Sequence, residues 1–149
     1  MNPAPADLRL REAVSDEDVL KVMVVRGIVF IEEQDVDWDG EIDAFEAESI
    51  HFLGEADGQP VACGRLRLMP DGRAKLERIA VRRRWRGRGY ARAVVRRLLD
   101  EARARGARGT YMHAQTYLRD FYAAFGFRAE GAVFDECGID HITMVREDD

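Results

Sequence analysis

Residues 76–102, LERIAVRRRWRGRGYARAVVRRLLDEA, join a strand pattern, a glycine-bearing turn and a helix pattern without interruption, and that junction limits the folds open to the chain. Leu76, Arg78 and Ala80 alternate with Glu77, Ile79 and Val81 like the two faces of a short strand. Ala91, Val94, Val95, Leu98, Leu99 and Ala102 then recur at helical spacing. Gly87 and Gly89 stand between the two patterns, where a missing Cβ lets the backbone come close to a ligand. The first N–H groups of the following helix have no intrahelical acceptor and lie at the positive end of the helix dipole, so the junction reads as an anion cradle. Hydrogen bonds to charged groups are worth about 1.5 to 3 kcal/mol each, and a few of them would anchor a diphosphate.

The kind of anion narrows by exclusion. A Walker A loop needs Gly-Lys-Ser/Thr at the helix start, and a dinucleotide fingerprint needs a third glycine where this chain has Arg92. The run Arg86-Gly87-Arg88-Gly89-Tyr90-Ala91, with LERIAV before it and FYAAFGF (121–127) after it, resembles the Arg/Gln-x-x-Gly-x-Gly/Ala signature of the GNAT superfamily of N-acetyltransferases. The resemblance extends over roughly Leu8 to Met144, and VFIEEQ, Val29 to Gln34, is similar to the ElaA-like branch. It implies a mixed α+β, GNAT-like fold: a central, mostly antiparallel sheet of six to seven strands flanked by about four helices. It also implies acetyl-coenzyme A as acyl donor. By resemblance, the backbone of Ile79, Ala80 and Val81 lines the pantetheine arm as an added strand would. Main-chain N–H groups from Arg86 through Gly87, Arg88, Gly89 and Tyr90 to Ala91 hold the pyrophosphate, with added charge from Arg84, Arg88 and Arg92. Tyr122 matches the tyrosine that protonates the departing thiolate. Gln115 stands where the superfamily often has an asparagine bonded to the pantetheine arm.

A chain of 149 residues, 46% of them hydrophobic, suits one domain over residues 1–149, with residues 1–7 a loose arm marked by Pro3 and Pro5. No apolar run approaches the length of a membrane span and no signal-peptide pattern opens the chain, so a soluble cytoplasmic protein with no membrane partner is expected. Cys63 and Cys137 read as free thiols. The net charge of -5 conceals an asymmetry. From Arg82 to Arg108 there are 11 arginines against Asp100 and Glu101, whereas Glu32 to Asp57 holds 11 acidic residues and no lysine or arginine. A basic cofactor side facing an acidic side for a cationic amine fits that pattern, and so do two solvated faces.

In chain order, Leu8 to Glu12 reads as a strand, and Ser15 with Asp18 caps a helix running from about Asp16 toward Gln34. Val36 to Glu48 reads as a loop with a short helical turn. Ile50 to Ala56 and Pro60 to Met69 form a hairpin about Asp57-Gly58-Gln59, and Pro70-Asp71-Gly72 turns the chain into Ala74 to Val81. Thr110 to Ala114 is a further strand, Tyr117 to Phe125 a helix ended by Gly126, and Phe127 to Phe134 with Ile139 to Val145 a last strand pair.

Acetyl transfer needs a neutral amine. Deprotonating a lysine-like ammonium at pH 7 costs about 4.6 kcal/mol, from roughly 3.4 pH units at 1.36 kcal/mol each. Glu77, on the strand entering the cradle, and Glu33, at the end of the first helix, are the candidate bases, with ion-paired surface carboxylates as the alternative. Tyr122 sits among aromatics dense enough to be plain core, and the resemblance is what makes it the general acid. His51, His113 and His141 show no ligand spacing, so no metal is expected; His113, beside Gln115, reads first as a packed or exposed histidine, with a place facing an acceptor pocket as the alternative. Two other functions compete. One is an arginine-rich nucleic-acid-binding domain with Trp85 and Tyr90 as stacking groups, disfavoured by the acidic balance. The other is a coenzyme A-binding regulatory module without turnover. An exposed strand edge near the C-terminal end offers a route to a homodimer.

Overall fold

The computed structural model describes residues 5–147. Part of the expected loose arm, residues 1–7, lies outside the described residues; the part within them is docked. The Leu8 N–H donates to the Pro5 carbonyl at 3.1 Å, and the Tyr90 hydroxyl donates to Asp7 at 2.6 Å. Seven strands follow: β1 (Arg9–Glu12), β2 (Ile50–Ala56), β3 (Gln59–Leu68), β4 (Ala74–Val81), β5 (Gly109–Gln115), β6 (Arg128–Glu136) and β7 (Ile139–Glu147). They form one sheet in the order β1-β2-β3-β4-β5-β7-β6, antiparallel throughout except for the β4–β5 pair. Four α-helices accompany them: α1 (Asp16–Arg26), α2 (Trp38–Glu41), α3 (Tyr90–Ala104) and α4 (Arg119–Ala123). The mixed, mostly antiparallel architecture expected from the sequence is the one observed.

Period-two alternation sends neighbouring side chains to opposite faces of the sheet. Phe52 joins Leu66, Leu76, Val94, Leu98 and Met112 in the core under α3, while the adjacent Leu53 joins Val22, Val25 and Cys63 under α1. Burying an aliphatic side chain of this size stabilises the fold by about 1.5 to 3 kcal/mol, which makes the apolar stripe of α3 its main anchor. Gly64 sets the spacing there: a Cβ at that position would sit 2.7 Å from Val94 Cγ1 and 3.0 Å from Leu98 Cδ1.

Two local expectations need correction. The helix capped by Ser15, whose Oγ accepts from the Asp18 N–H at 3.1 Å, does not continue as α-helix to Gln34. It widens into a π-helical segment, Gly27–Glu33, closed by the Gln34 N–H to the Val29 carbonyl at 3.1 Å. Seven residues are too short a stretch for the spacing of apolar residues to separate a π-helical segment from an α-helical one. The second correction concerns β4. Cys63 pairs with Ala80 and Arg65 with Glu77, so one residue of β3, Gly64, faces two of β4, Arg78 and Ile79. This is a β-bulge, with Arg78 at a φ of 54°. Simple alternation therefore fails across it: Leu76 packs under α3 and Ala80 under α1.

Past Lys75, before the bulge is reached, the sheet opens. The β4–β5 pairing consists of Ala74 with Thr110 and Lys75 with Tyr111, after which the two strands part like the arms of a fork.

Candidate functional site

The fork between β4 and β5 is a cleft of about 530 Å³. Leu76 to Val81 form one wall, Met112 to Gln115 the other, and Leu118, Phe121 and Tyr122 reach it from the α4 side. Past Lys75 one edge of β4 has no β5 partner, so its peptide groups are free to pair with an extended ligand. Of the residues expected at a cofactor site, Ile79, Ala80, Val81, Arg86, Ala91, Gln115 and Tyr122 line this cleft.

At the open end of the fork, a 3-10 turn over Arg83–Trp85 leads into Gly87 and Gly89, at φ of 77° and 82°, in the left-handed region that suits glycine. Gly89 caps α3, and the first bond of that helix runs from the Ala93 N–H to the Gly89 carbonyl at 3.1 Å. The Tyr90, Ala91 and Arg92 amides precede it and have no acceptor among the described residues. Three open donors at the positive end of a 15-residue helix are the geometry of an anion site. Arg88 and Arg92 stand exposed beside it.

Arg86 and Arg84 behave differently from expectation. The Arg86 amide donates to the Arg83 carbonyl at 3.2 Å, and so closes the 3-10 turn instead of facing the cradle. Its side chain holds the Val81 carbonyl at 2.9 Å and Glu33 at 2.7 Å, which straps the loop to the π-helical segment. Arg84 stacks over Trp85 at 5.2 Å and is absent from the cleft lining. Glu33 accordingly lies outside the cleft lining, and its partners Arg86 and Arg83 make it a buttress of the loop.

Glu77 does line the cleft, surrounded by cations: Arg65 at 3.0 Å, Arg67 at 3.0 Å and Lys75 at 3.3 Å. Burial pushes its carboxyl up, but Arg65, Lys75 and Arg67 together outweigh burial and hold it below the ordinary carboxylate range. Such a group is a fixed negative charge and a poor proton acceptor. Gln115, expected on the pantetheine arm, donates to Gln34 Oε1 at 2.8 Å and so ties β5 to the π-helical segment.

Tyr122 is 5% exposed, set edge-on to Phe121 at 5.1 Å and Phe127 at 6.2 Å. Burial, with a smaller contribution from Tyr117, pushes its phenol above the ordinary value near 10, so the proton stays on at neutral pH. Trp85 and Tyr90 are both buried, which withdraws them from the base-stacking role that a nucleic-acid reading requires.

Three residues of the acidic run are taken up in ion pairs with the buried Arg26 and Arg65, and two of them, Glu41 and Asp43, line the cleft. Glu41, 2% exposed, binds the 1%-exposed Arg26 at 2.6 Å and Arg78 at 3.2 Å. Asp43 binds Arg65 at 2.8 Å, and Glu46 joins Arg26 at 2.8 Å to Arg65 at 3.0 Å. These ion pairs fasten the segment containing α2 over the bulge of β4.

One cluster escaped sequence reasoning almost entirely. Glu136 lies between His113, at 3.2 Å, and His141, at 3.5 Å, all three on the cleft wall. Only His113 had a signal, its place beside Gln115; the others arrive through strand pairing across a hairpin. Among the described residues no group of three or more His, Cys, Asp or Glu is placed to hold a metal ion, and both cysteines are free. No described helix is long and apolar enough to cross a membrane.

Comparison with known proteins agrees with this geometry. The profile of the Acetyltransferase (GNAT) family matches residues 20–127. The uncharacterized N-acetyltransferase YjcF of Bacillus subtilis is 36% identical over 91% of this chain and 96% of its own. The crystal structure of Escherichia coli ElaA superposes with a TM-score of 0.84 at 25% identity, covering 94% of this chain and 99% of ElaA. An acyl-CoA N-acyltransferase from Pseudomonas aeruginosa gives a TM-score of 0.83 at 26% identity, covering 94% and 98%.

Proposed function

Because this chain belongs to the GNAT acetyltransferase family, in its ElaA-like branch, we propose that it moves an acetyl group from acetyl-coenzyme A to a primary amine by direct attack within a ternary complex. The observation that carries this reading is the alignment of the open amides of Tyr90, Ala91 and Arg92 with the unpaired edge of β4 along one cleft. A diphosphate fits the first and an amide-bearing arm fits the second, which are the two ends of a pantetheine ester. Gly87 and Gly89 keep the loop backbone accessible, while Arg88 and Arg92 add positive charge around it. Ile79, Ala80 and Val81 supply the strand edge. Tyr122, still protonated at neutral pH, is the general acid for the departing thiolate. Glu77 serves as a structural anion instead of the base first expected from its position, and Glu33 acts through the loop it braces.

The test is a panel of primary amines assayed by thiol release from acetyl-coenzyme A, with calorimetry of donor binding. Tyr122→Phe should bind the donor as tightly as wild type and lose about a hundredfold in kcat, the low end of a general acid's contribution. An unchanged kcat would remove Tyr122 from the chemistry. Absence of donor binding by wild type would remove the function.

A further inference from the structure

The cleft wall carries one cluster of titratable side chains that the transfer reaction has not yet used. His113 stands on β5, Glu136 ends β6 and His141 lies on β7. The registers fold them together: Gln115 pairs with His141 across β5–β7, while Phe134 pairs with His141 and Glu136 with Ile139 across β6–β7. The Glu136 carboxylate lies between the two rings, hydrogen-bonded through Oε1 to His113 Nδ1 at 3.2 Å, with Oε2 3.5 Å from His141 Nε2. Both rings are held in place. Phe134 meets His113 edge-on at 5.1 Å and stacks on His141 at 6.0 Å, and His141 Nδ1 donates to the Ile139 carbonyl at 2.7 Å.

A carboxylate can only accept, so the hydrogen of neutral His113 lies on Nδ1. That leaves a lone pair on Nε2, which has no hydrogen-bond partner among the described residues. The ring lies two positions beyond the β4–β5 fork, on the wall facing Glu77, in the cleft that also contains Tyr122. On the acyl-transfer reading above, we propose that His113 is the catalytic base that takes the ammonium proton of the acceptor, with Glu136 and His141 as its positioning residues. The proton passes from the acceptor nitrogen to His113 Nε2. The freed lone pair forms the C–N bond to the acetyl carbonyl carbon as the C–S bond breaks toward sulfur. The second nitrogen proton reaches the thiolate by way of Tyr122, and His113 returns its proton to water. One ammonium and one thioester thus give one amide, one thiol and one solvent proton.

The surroundings favour this division of labour. The His113 hydrogen bond first, against burial that pushes the other way, and then the neighbouring histidines and Lys75 hold the Glu136 carboxyl below its ordinary range, so it is an anion able to steady an imidazolium. The Tyr111 ring lies tilted against His113, centre to centre at 6.2 Å.

Two measurements test the proposal. Long-range nitrogen–proton correlation spectra of the free protein report each ring's tautomer without any substrate. His113 should carry its hydrogen on Nδ1 in wild type and shift toward Nε2–H in Glu136→Gln; Nε2–H in wild type would overturn the proposal. The second compares ethylamine with 2,2,2-trifluoroethylamine, two amines of one skeleton of which the fluorinated one is already neutral at pH 7. His113→Gln should lower kcat/KM for ethylamine by about a hundredfold and leave trifluoroethylamine nearly unchanged. An equal loss for both would assign His113 to packing and overturn the proposal, as would no loss for either. Calorimetry with acetyl-coenzyme A separates the two levels of inference: a wild type that does not bind the donor sinks the acyl-transfer reading, while a variant that binds normally and penalises both amines alike sinks the base assignment alone.

Discussion

The two charged stretches, each with 11 residues of its dominant sign, diverge where they lie against the sheet. Around the cradle, Arg83, Arg84, Arg88 and Arg92 stand in solvent, and the helix amides beside them stay open. In the acidic stretch, Glu41, Asp43 and Glu46 turn inward onto Arg26, Arg65 and Arg78. Within the acidic stretch the acids that lie over an arginine turn inward, while Glu32, Asp35, Asp37, Asp39, Glu48 and Asp57 stay exposed. Two of the cations beneath the acidic run sit in apolar stretches of sequence, Arg26 in VMVVRGIVF and Arg65 in ACGRLRL. A charge buried with its apolar neighbours needs a buried partner.

If this contrast is sound, the acidic side should fail by losing stability and the basic side by losing ligand. The largest effect belongs to Arg26→Met. It leaves Glu41 buried and short of its partner, at a cost of about 3 to 5 kcal/mol in urea unfolding. Adding Glu41→Leu should recover part of that loss, because no uncompensated charge remains. Acid should act next. Burial pushes the Glu46 carboxyl up, but the Arg26 hydrogen bonds and nearby charges outweigh it and bring it down to about 2, against 4.5 in the unfolded chain. A depressed pKa stabilises the fold fully above the unfolded value and loses that contribution as pH falls toward the folded one. Stability should therefore drop between about pH 4.5 and pH 2, by on the order of 3 kcal/mol from this group at 1.36 kcal/mol per unit. A flat stability profile through that window would break the claim that the acidic run is structural.

Sequence signals were clear where the chain is locally determined. The strand, glycine turn and α3 stripe fall within one continuous segment, and Asp57-Gly58 makes the hairpin with both residues at positive φ. They were weak where long-range pairing decides. The bulge at Arg78 depends on which β3 residues stand opposite, so the alternation of LERIAV gave Leu76 and Ala80 the same face when they have different ones. Glu77 and Glu33 look equivalent as carboxylates near the cradle; only folding shows three cations around one and the Arg86 strap on the other. The His113, Glu136 and His141 cluster draws on three strands, and neither spacing nor composition marks it.

On the basic side, Gly89→Val should have the largest effect. A β-branched residue at a φ of 82° is strained by about 1 to 3 kcal/mol, and relaxing that strain moves the amides that follow. Affinity for acetyl-coenzyme A should fall at least about tenfold by calorimetry, with the unfolding midpoint only modestly lowered. Unchanged affinity would break the assignment of the loop as the anion site.

The smallest effects sharpen the comparison most, because they ask which arginines belong to the site and which merely share its sign. Arg88 and Arg103 are both exposed, and composition counts them alike. Their distances from the open amides differ. Arg88 adjoins Gly89, whereas Arg103 lies about 20 Å along α3 at 1.5 Å per residue. Charges in solvent are largely screened beyond about 8 Å at physiological ionic strength. Arg88→Ala should therefore weaken acetyl-coenzyme A binding several-fold, and the loss should shrink as salt is raised. Arg103→Ala should leave affinity unchanged and shift stability by no more than about 0.5 kcal/mol. If both variants lost affinity equally, the relevant quantity would be the net charge of the whole helix face, and the local cradle would no longer be needed to explain binding.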